Sequence, residues 1–464
     1  MAPVGLLATV GGMLGHAATD WGPLEQAAWA GLILYLAATW RGIPVRGQIY
    51  LGIALTLAAV AVAALPAPLA TFATALRRSV FVITLFTALG FLREAAETSP
   101  MVRRCGLFLA SQPPGRRYVA LTTGGHLFGL ILNFGVISLL GAMVVGAARA
   151  AGDADEPART ALRQRRMLTA VLRGFASILA WSPLTVSLAV IMTALPQTEW
   201  TEVAPWCLGT AVMLLALGWA QDRLIRPPQG LSPAPPRAPE GRWSVTAPII
   251  ALVAGIFVVG WAVEEILGVR LVVGVMMATP LIGTLWILVQ QDRAAGGGAA
   301  VAATGRRLVA HGRRVFPAYR MEVALLASAA FIGSVIAALL PEDAVRALLA
   351  AAPVPPWVLL AGLSWVIVAL GQAGFNPVLS VTILTGALPS PAVFGVPAEA
   401  MAVALAGAWA LTANTSPFTA SVLGIAQLSG RDAGTLGREW NGGYALAALV
   451  LLSAWIGVVA HLAS

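Results

Sequence analysis

FASILAWSPLTVSLAVIMTA (175–194) and AGAWALTANTSPFTASVLGIA (406–426) decide the fold. Each is apolar and free of charge, and each carries Ser-Pro near its middle, Ser182-Pro183 in one and Ser416-Pro417 in the other. Proline has no N–H to give and its ring crowds the carbonyl four residues back, so a helix is expected to break at both places. In lipid a broken helix survives only where its freed backbone groups meet protein or line a cavity.

Working outward, these runs belong to a set of four: 118–148, 167–196, 356–389 and 398–428, each with almost no charge. At roughly 30 residues a straight helix would be about 45 Å long, against a hydrocarbon core of about 30 Å. Each must therefore tilt, break or turn back. The flanking charges decide which. Arg116 and Arg117 precede 118–148 and Arg149 follows it, so that stretch enters and leaves on one side, as a re-entrant hairpin turning near Asn133-Phe134-Gly135. Glu342 and Asp343 precede 356–389 and Glu399 follows, giving a hairpin dipping from the opposite side and turning between Gly371 and Pro377. The stretches 167–196 and 398–428 have unlike ends and cross as broken helices. Simple spans fall at 25–40, 48–66, 79–92, 204–220, 244–263, 268–289, 321–340 and 441–461.

Composition excludes most other classes. Of 464 residues, 58% are hydrophobic and 11% charged, where a soluble domain spends about a quarter on charge. The net charge of +9 comes from 29 arginines and no lysine. Placing 41–47, 93–117, 149–173, 221–243, 292–320 and 429–440 on the cytoplasmic side puts 25 of the 29 there, leaving Arg77, Arg78, Arg270 and Arg346 outside. This is the asymmetry that orients a membrane protein, not a nucleic-acid footprint. Cys105 and Cys207 make neither a disulfide framework nor a metal spacing. The apolar run from Val4 to Gly15 has no basic residue before it and is too short to span, so no cleaved signal peptide is expected. The expected location is the inner membrane of a bacterial cell, crossed many times.

The order of parts recurs. Span, amphipathic piece, uncharged hairpin, Ser-Pro crosser and final span occur over 79–220 and again over 321–461, starting from opposite sides. GHLFGLILNFGVISLLGAM (125–143) aligns with GQAGFNPVLSVTILTGAL (371–388). The expected fold is all-α and polytopic: two inverted-topology repeats of about five transmembrane helices, each with one re-entrant hairpin and one broken helix, the layout of secondary transporters. The segments are 1–24, a first repeat over 25–220, a Pro-rich cytoplasmic linker over 221–243, and a second repeat over 244–462. Residues 100–111 and 342–352 read as matched interfacial helices. The basic piece GRRLVAHGRRVFPAYR (305–320) reads as an anchor to lipid headgroups.

Asn133 in LILNFG, Asn376 in GFNPV and the crossers WSPLTVS and TANTSPFTAS give the chain a resemblance to the ion transporter superfamily, which includes divalent anion/sodium symporters, citrate–metal symporters and arsenite efflux permeases. The resemblance runs from about residue 25 to 461. It implies an elevator-type carrier, a homodimer, with substrate and ions held between hairpin tips and helix breaks.

Such tips present free N–H groups at half-helix N-termini, which favour anions, and free carbonyls at C-termini, which can coordinate Na⁺. The candidate substrate- and ion-binding residues are Asn133, Gly135, Ser182, Thr185, Gln372, Asn376, Asn414, Thr415, Ser416 and Thr419, with Na⁺ possible at Asn133, Ser182, Asn376 and Ser416. Ser138, Ser187, Ser380 and Thr412 lie around the same breaks. No carboxylate occurs within 118–148, 168–198, 356–398 or 400–431. A neutral, donor-rich site suits a small, carboxylate-like anion better than a bare cation, with Na⁺ or H⁺ as the coupling ion and no other cofactor. His126 is the candidate for proton coupling. Arg173 reads as an arginine snorkelling to the interface. The expected function is a secondary active transporter, not an enzyme. Efflux of an inorganic or metalloid oxyanion is the alternative, and a membrane-embedded enzyme comes last because no catalytic cluster is found. The expected partners are the anionic solute, membrane lipids and a second copy of the chain.

Overall fold

The computed structural model describes residues 1–150, 157–224, 241–341, 343, 347, 351, 354–387 and 390–463. Among these there is no strand. Helices of nine residues or more are numbered here in chain order: α1 (Ala2–Thr19), α2 (Gly22–Thr39), α3 (Val45–Ala64), α4 (Pro68–Glu97), α5 (Pro100–Ala110), α6 (Pro114–Leu132), α7 (Gly135–Ala150), α8 (Pro157–Ile178), α9 (Val186–Ala194), α10 (Trp200–Leu224), α11 (Ala247–Leu267), α12 (Leu271–Ala295), α13 (Gly297–Val315), α14 (Arg320–Leu339), α15 (Pro356–Gln372), α16 (Pro377–Ala387), α17 (Ala398–Thr415), α18 (Ala420–Ser429) and α19 (Gly442–Leu462). Proline starts many of them, at Pro68, Pro100, Pro114, Pro157, Pro356 and Pro377. There its missing N–H is one that no helix bond would use, and its fixed φ suits the first turn.

Among the described residues, seven stretches are long and apolar enough to cross a membrane: α3, α4, α10, α11, α12, α13–α14 taken together, and α19. The span expected at 25–40 is not among them, because the 18 residues of α2 include Glu25 and Gln26. Instead α2 packs lengthwise on α1. The helix over Ala2–Thr19 outruns the apolar stretch Val4–Gly15, and glycines let the two backbones touch: a Cβ on Gly31 would lie 2.7 Å from the Gly5 carbonyl and the Thr9 nitrogen.

All four long uncharged stretches are interrupted. The chain turns between α6 and α7, α8 gives way to α9 across 179–185, α15 ends before a turn at 373–376, and α17 gives way to α18 across 416–419. The expected interfacial helix at 100–111 is α5, whose Val102, Cys105, Phe108 and Leu109 are buried against its neighbours. Most of its expected counterpart at 342–352, Arg346 included, lies outside the described residues, as do 225–240 of the linker.

The packing exchanges elements between the N- and C-terminal parts. Helix α3 packs on α14 and α12 on α4, while α4 and α14 pack on each other. Helix α6 lies on α8 and α15 on α17. The α6–α8 contact is made at backbone distance: a Cβ on Gly125 would strike the Val171 carbonyl, and one on Gly174 the Thr122 carbonyl. In lipid, where the hydrophobic effect gives helices no reason to associate, such small-residue contacts hold them together. Two further pairs position the site: α9 packs on α16, and α18 packs on α7.

Candidate functional site

The two Ser-Pro breaks share one set of hydrogen bonds. Ser182 N–H bonds to the Ile178 carbonyl at 2.9 Å, as Ser416 N–H bonds to Thr412 at 2.9 Å. Proline then ends the helix. The Ser182 hydroxyl accepts from Leu184 N at 3.2 Å, and the Ser416 hydroxyl from Phe418 N at 3.3 Å. Thr185 Oγ1 donates to the Ser182 carbonyl (2.7 Å), Thr419 Oγ1 to the Ser416 carbonyl (2.9 Å). Finally Ser187 Oγ reaches back eight residues to the Leu179 carbonyl (2.7 Å), and Ser421 Oγ to the Ala413 carbonyl (2.6 Å). Ser-Pro-x-Thr-x-Ser thus supplies hydroxyls to the backbone groups that the break orphans. All six hydroxyl residues are buried.

The turns beside the breaks depend on asparagine. Asn133 has φ 52°, left-handed and costly for most side chains, and its Oδ1 accepts from Phe134 N at 2.8 Å. Gly135 follows and opens α7. In the second turn Gly374 takes the left-handed conformation (φ 99°), and Asn376 Oδ1 accepts from Val378 N at 2.9 Å, capping α16. With both side-chain oxygens occupied, each asparagine keeps its NH₂ group as a pair of donors.

Of the expected site residues, Gln372, Thr415 and Ser416 are joined directly. Gln372 Nε2 donates to Thr415 Oγ1 at 3.1 Å, and Ser416 Oγ donates to the Gly371 carbonyl at 2.7 Å, fastening the end of α15 to the break. Thr419 joins them through the Ser416 carbonyl, and Ser182 pairs with Thr185 in the same way at the other break. Asn414 is 1% exposed and its Oδ1 has no hydrogen-bond partner. Ser380 Oγ in α16 is also buried without one, whereas Ser138 is exposed. No hydrogen bond among the described residues joins Asn133 or Asn376 to the breaks.

His126 stands apart from these groups. Its Nδ1 lies 2.8 Å from Ser177 Oγ, which itself lies 2.7 Å from the Gly174 carbonyl. Its ring stacks on Trp181 at 5.8 Å, and Trp181 in turn on Phe257.

Two expectations are corrected. Arg173 does not snorkel. It is 4% exposed, with Nε 3.2 Å from Asn441 Oδ1, further nitrogens on Tyr118 OH, the Gly218 carbonyl and Gln221 Oε1, and its guanidinium 4.1 Å from the centre of the Tyr444 ring. All these partners are neutral, and Asn441 and Tyr444 lie more than 260 residues away in sequence. The alignment of Gly125 with Gly371 also shifts by four residues. Gly371 meets Thr412, four before Ser416, and Gly129 meets Ile178, four before Ser182. Gly129 is therefore the spatial counterpart, which sets Asn133 within one residue of Asn376. Ser421, which takes the part of Ser187 at the second break, was not among the expected residues, although its signal was there in the second Thr-x-Ser.

At the four interruptions half-helix ends meet neutral hydroxyls and amides.

No protein-family model matches the chain, and no curated protein sequence matches it. Among the solved structures that resemble it are the following two. The YdaH transporter of Alcanivorax borkumensis superposes with a TM-score of 0.55 at 16% identity, covering 89% of this chain and 99% of that one. MtrF of Neisseria gonorrhoeae, described with a class of antimetabolite efflux pumps, superposes with a TM-score of 0.55 at 13% identity, covering 92% of this chain and 98% of that one. At such identities the likeness is one of fold, which this multi-pass helical chain shares with those two proteins.

Proposed function

We propose that the protein is a secondary active transporter of a small anionic solute, working by elevator-type alternating access between two inverted halves of an ion transporter superfamily fold. The observation that carries this reading is the duplicated break. Ser182–Ser187 and Ser416–Ser421 repeat the same hydrogen bonds, and the helix after each break packs on the helix after the other half's turn, α9 on α16 and α18 on α7. Two copies of one unit, each completing the other, are what inverted repeats with a central site require.

In this reading α6–α7 and α15–α16 are re-entrant hairpins whose tips, at Asn133 and Asn376, face a pocket between the breaks. The solute's negative charge is met by the amide donors of the two asparagines and by half-helix N-termini. Na⁺ is the preferred coupling ion, held by carbonyls and by the oxygens of Asn414, Ser182 and Ser416, because these stretches hold no carboxylate to carry a proton. The description of MtrF makes antimetabolites, exported from the cell, the first solutes to test.

Single cysteines at Val354 and Ser390, which flank α15–α16, test the geometry against a background of Cys105 and Cys207, both buried. A membrane-impermeant maleimide is expected to label both from the same side; labelling from opposite sides overturns the hairpin. In proteoliposomes, a Na⁺ gradient is expected to drive flux of an organic anion, and Asn376→Ala to cut that flux at least tenfold. Flux that follows a pH gradient, ignores Na⁺ and vanishes in His126→Ala would replace Na⁺ by H⁺ as the coupling ion.

A further inference from the structure

Helix α13 has two faces with different tasks. The inner face is bound to α4 and α12. Arg307 Nε lies 3.0 Å from Glu94 Oε1, His311 Nδ1 lies 2.8 Å from Glu94 Oε2, and Arg307 also donates to Gln290 Oε1 at 3.1 Å. Among the described residues, none packs against the outer face. Val301 and Val309 are 64% and 54% exposed, and Arg306 and Arg313 are exposed on the same side. An open groove of about 660 Å³ runs along it, lined by Gly305, Arg306, Val309, Ala310, Arg313 and Arg314. Three cations line this groove and no carboxylate does. Arg314 has only a 3.4 Å contact with Glu94, a carboxylate already held by Arg307 and His311.

The place of α13 in the chain says what covers it. It joins α12 to α14, both in stretches long and apolar enough to cross a membrane, so each of its ends is fixed at the end of a span, at headgroup depth. Arg306 and Arg313 are seven residues apart, about 10.5 Å along the axis. Valines and an alanine lie between and beside them, an arrangement that suits a phosphate above and acyl chain below. A free anion in water has no use for the apolar part.

We propose that the outer face of α13 is a binding site for an anionic phospholipid, with its phosphate held between Arg306 and Arg313 and its upper acyl chain over Val301 and Val309. The site is separate from the helix breaks and does not rest on the transport reading.

Native mass spectrometry of the detergent-purified protein, titrated with phosphatidylglycerol or phosphatidylcholine, tests it. Phosphatidylglycerol is expected to bind at least tenfold more tightly. Arg306→Gln with Arg313→Gln is expected to weaken it about thirtyfold, each arginine near the surface being worth a factor of about five. Arg103→Gln with Arg104→Gln, which removes two exposed arginines from α5, is expected to leave binding within twofold. A photoactivatable phosphatidylglycerol is expected to label residues 301–314 of the unaltered protein. The proposal is overturned if the α13 variant binds within twofold of the unaltered protein, if the α5 variant loses as much, if inorganic phosphate displaces the lipid, or if the photolabel falls only elsewhere.

Discussion

The two breaks share a backbone and differ in what surrounds it. Nine residues before Ser182 stands Arg173, buried among Tyr118, Gln221, Asn441 and Tyr444; nine before Ser416 stands Gly407, pressed against Leu452. Two before each serine are Ala180 and Asn414, and one before are Trp181 and Thr415. The first break thus carries an aromatic stack, with a fixed guanidinium about two and a half turns up the same helix. The second offers an unpaired amide oxygen and a hydroxyl bonded to Gln372. Hydroxyls that satisfy a broken backbone are needed wherever the break occurs, so both copies keep them. Groups that meet a solute are needed once, and on our reading of the function the second break carries more of them.

Arg173 gives the largest expected effect. Arg173→Met keeps most of the side chain's length but removes the donors that Asn441, Gln221 and Tyr118 receive, and leaves the buried Asn441 oxygen unpaired. The expected loss is about 3 kcal/mol of stability, read as a lowered melting temperature in detergent. A variant that melts with the unaltered protein would show that the first break needs no anchor, and the contrast between the two regions would lose its structural half.

The positions of both breaks were legible in the sequence because their cause is local: a proline cannot donate, and a serine and threonine within three residues can take over the orphaned groups. The turns were legible for the same reason, since Asn133 and the Gly374–Asn376 segment carry residues that tolerate or cap such backbone. What escaped was non-local. Arg173 looked like an interfacial arginine because its partners Asn441 and Tyr444 belong to the far end of the chain. Glu94 gave no sign of the pairing with Arg307 and His311 that fixes α13. The α1–α2 pair was missed because hydropathy measures affinity for lipid, whereas Gly5 and Gly31 act by letting two backbones meet. The four-residue shift between Gly125 and Gly129 has the same origin. Both are small residues in an apolar run, and only the partner helix tells them apart.

Asn414 separates function from stability. Its Oδ1 is buried and unpaired, which costs about 1–3 kcal/mol relative to a satisfied group, so a fold under selection for stability alone has no reason to keep it. Asn414→Ala is expected to raise the melting temperature or leave it unchanged, while cutting Na⁺-driven flux at least tenfold. Loss of both together would make Asn414 a packing residue, and retention of flux would remove the second break's claim to the solute.

The smallest expected effect is the most direct test of the likeness itself. Ser187→Ala and Ser421→Ala each delete a hydroxyl that reaches back eight residues to a carbonyl, at 2.7 and 2.6 Å. Each is expected to cost about 1 kcal/mol, and the two losses to agree within a few tenths, because the carbonyls of Leu179 and Ala413 each receive their short bond from that serine. Each serine bonds within its own break, so the double variant is expected to lose the sum. Unequal losses would mean that one carbonyl has found a substitute partner. Ala413 is the place to look, because Thr419 Oγ1 already lies 3.4 Å from its carbonyl while Thr185 makes no such contact with Leu179. A milder loss for Ser421→Ala would therefore mark the second break as the more adaptable of the two, as a break that closes around a solute has to be.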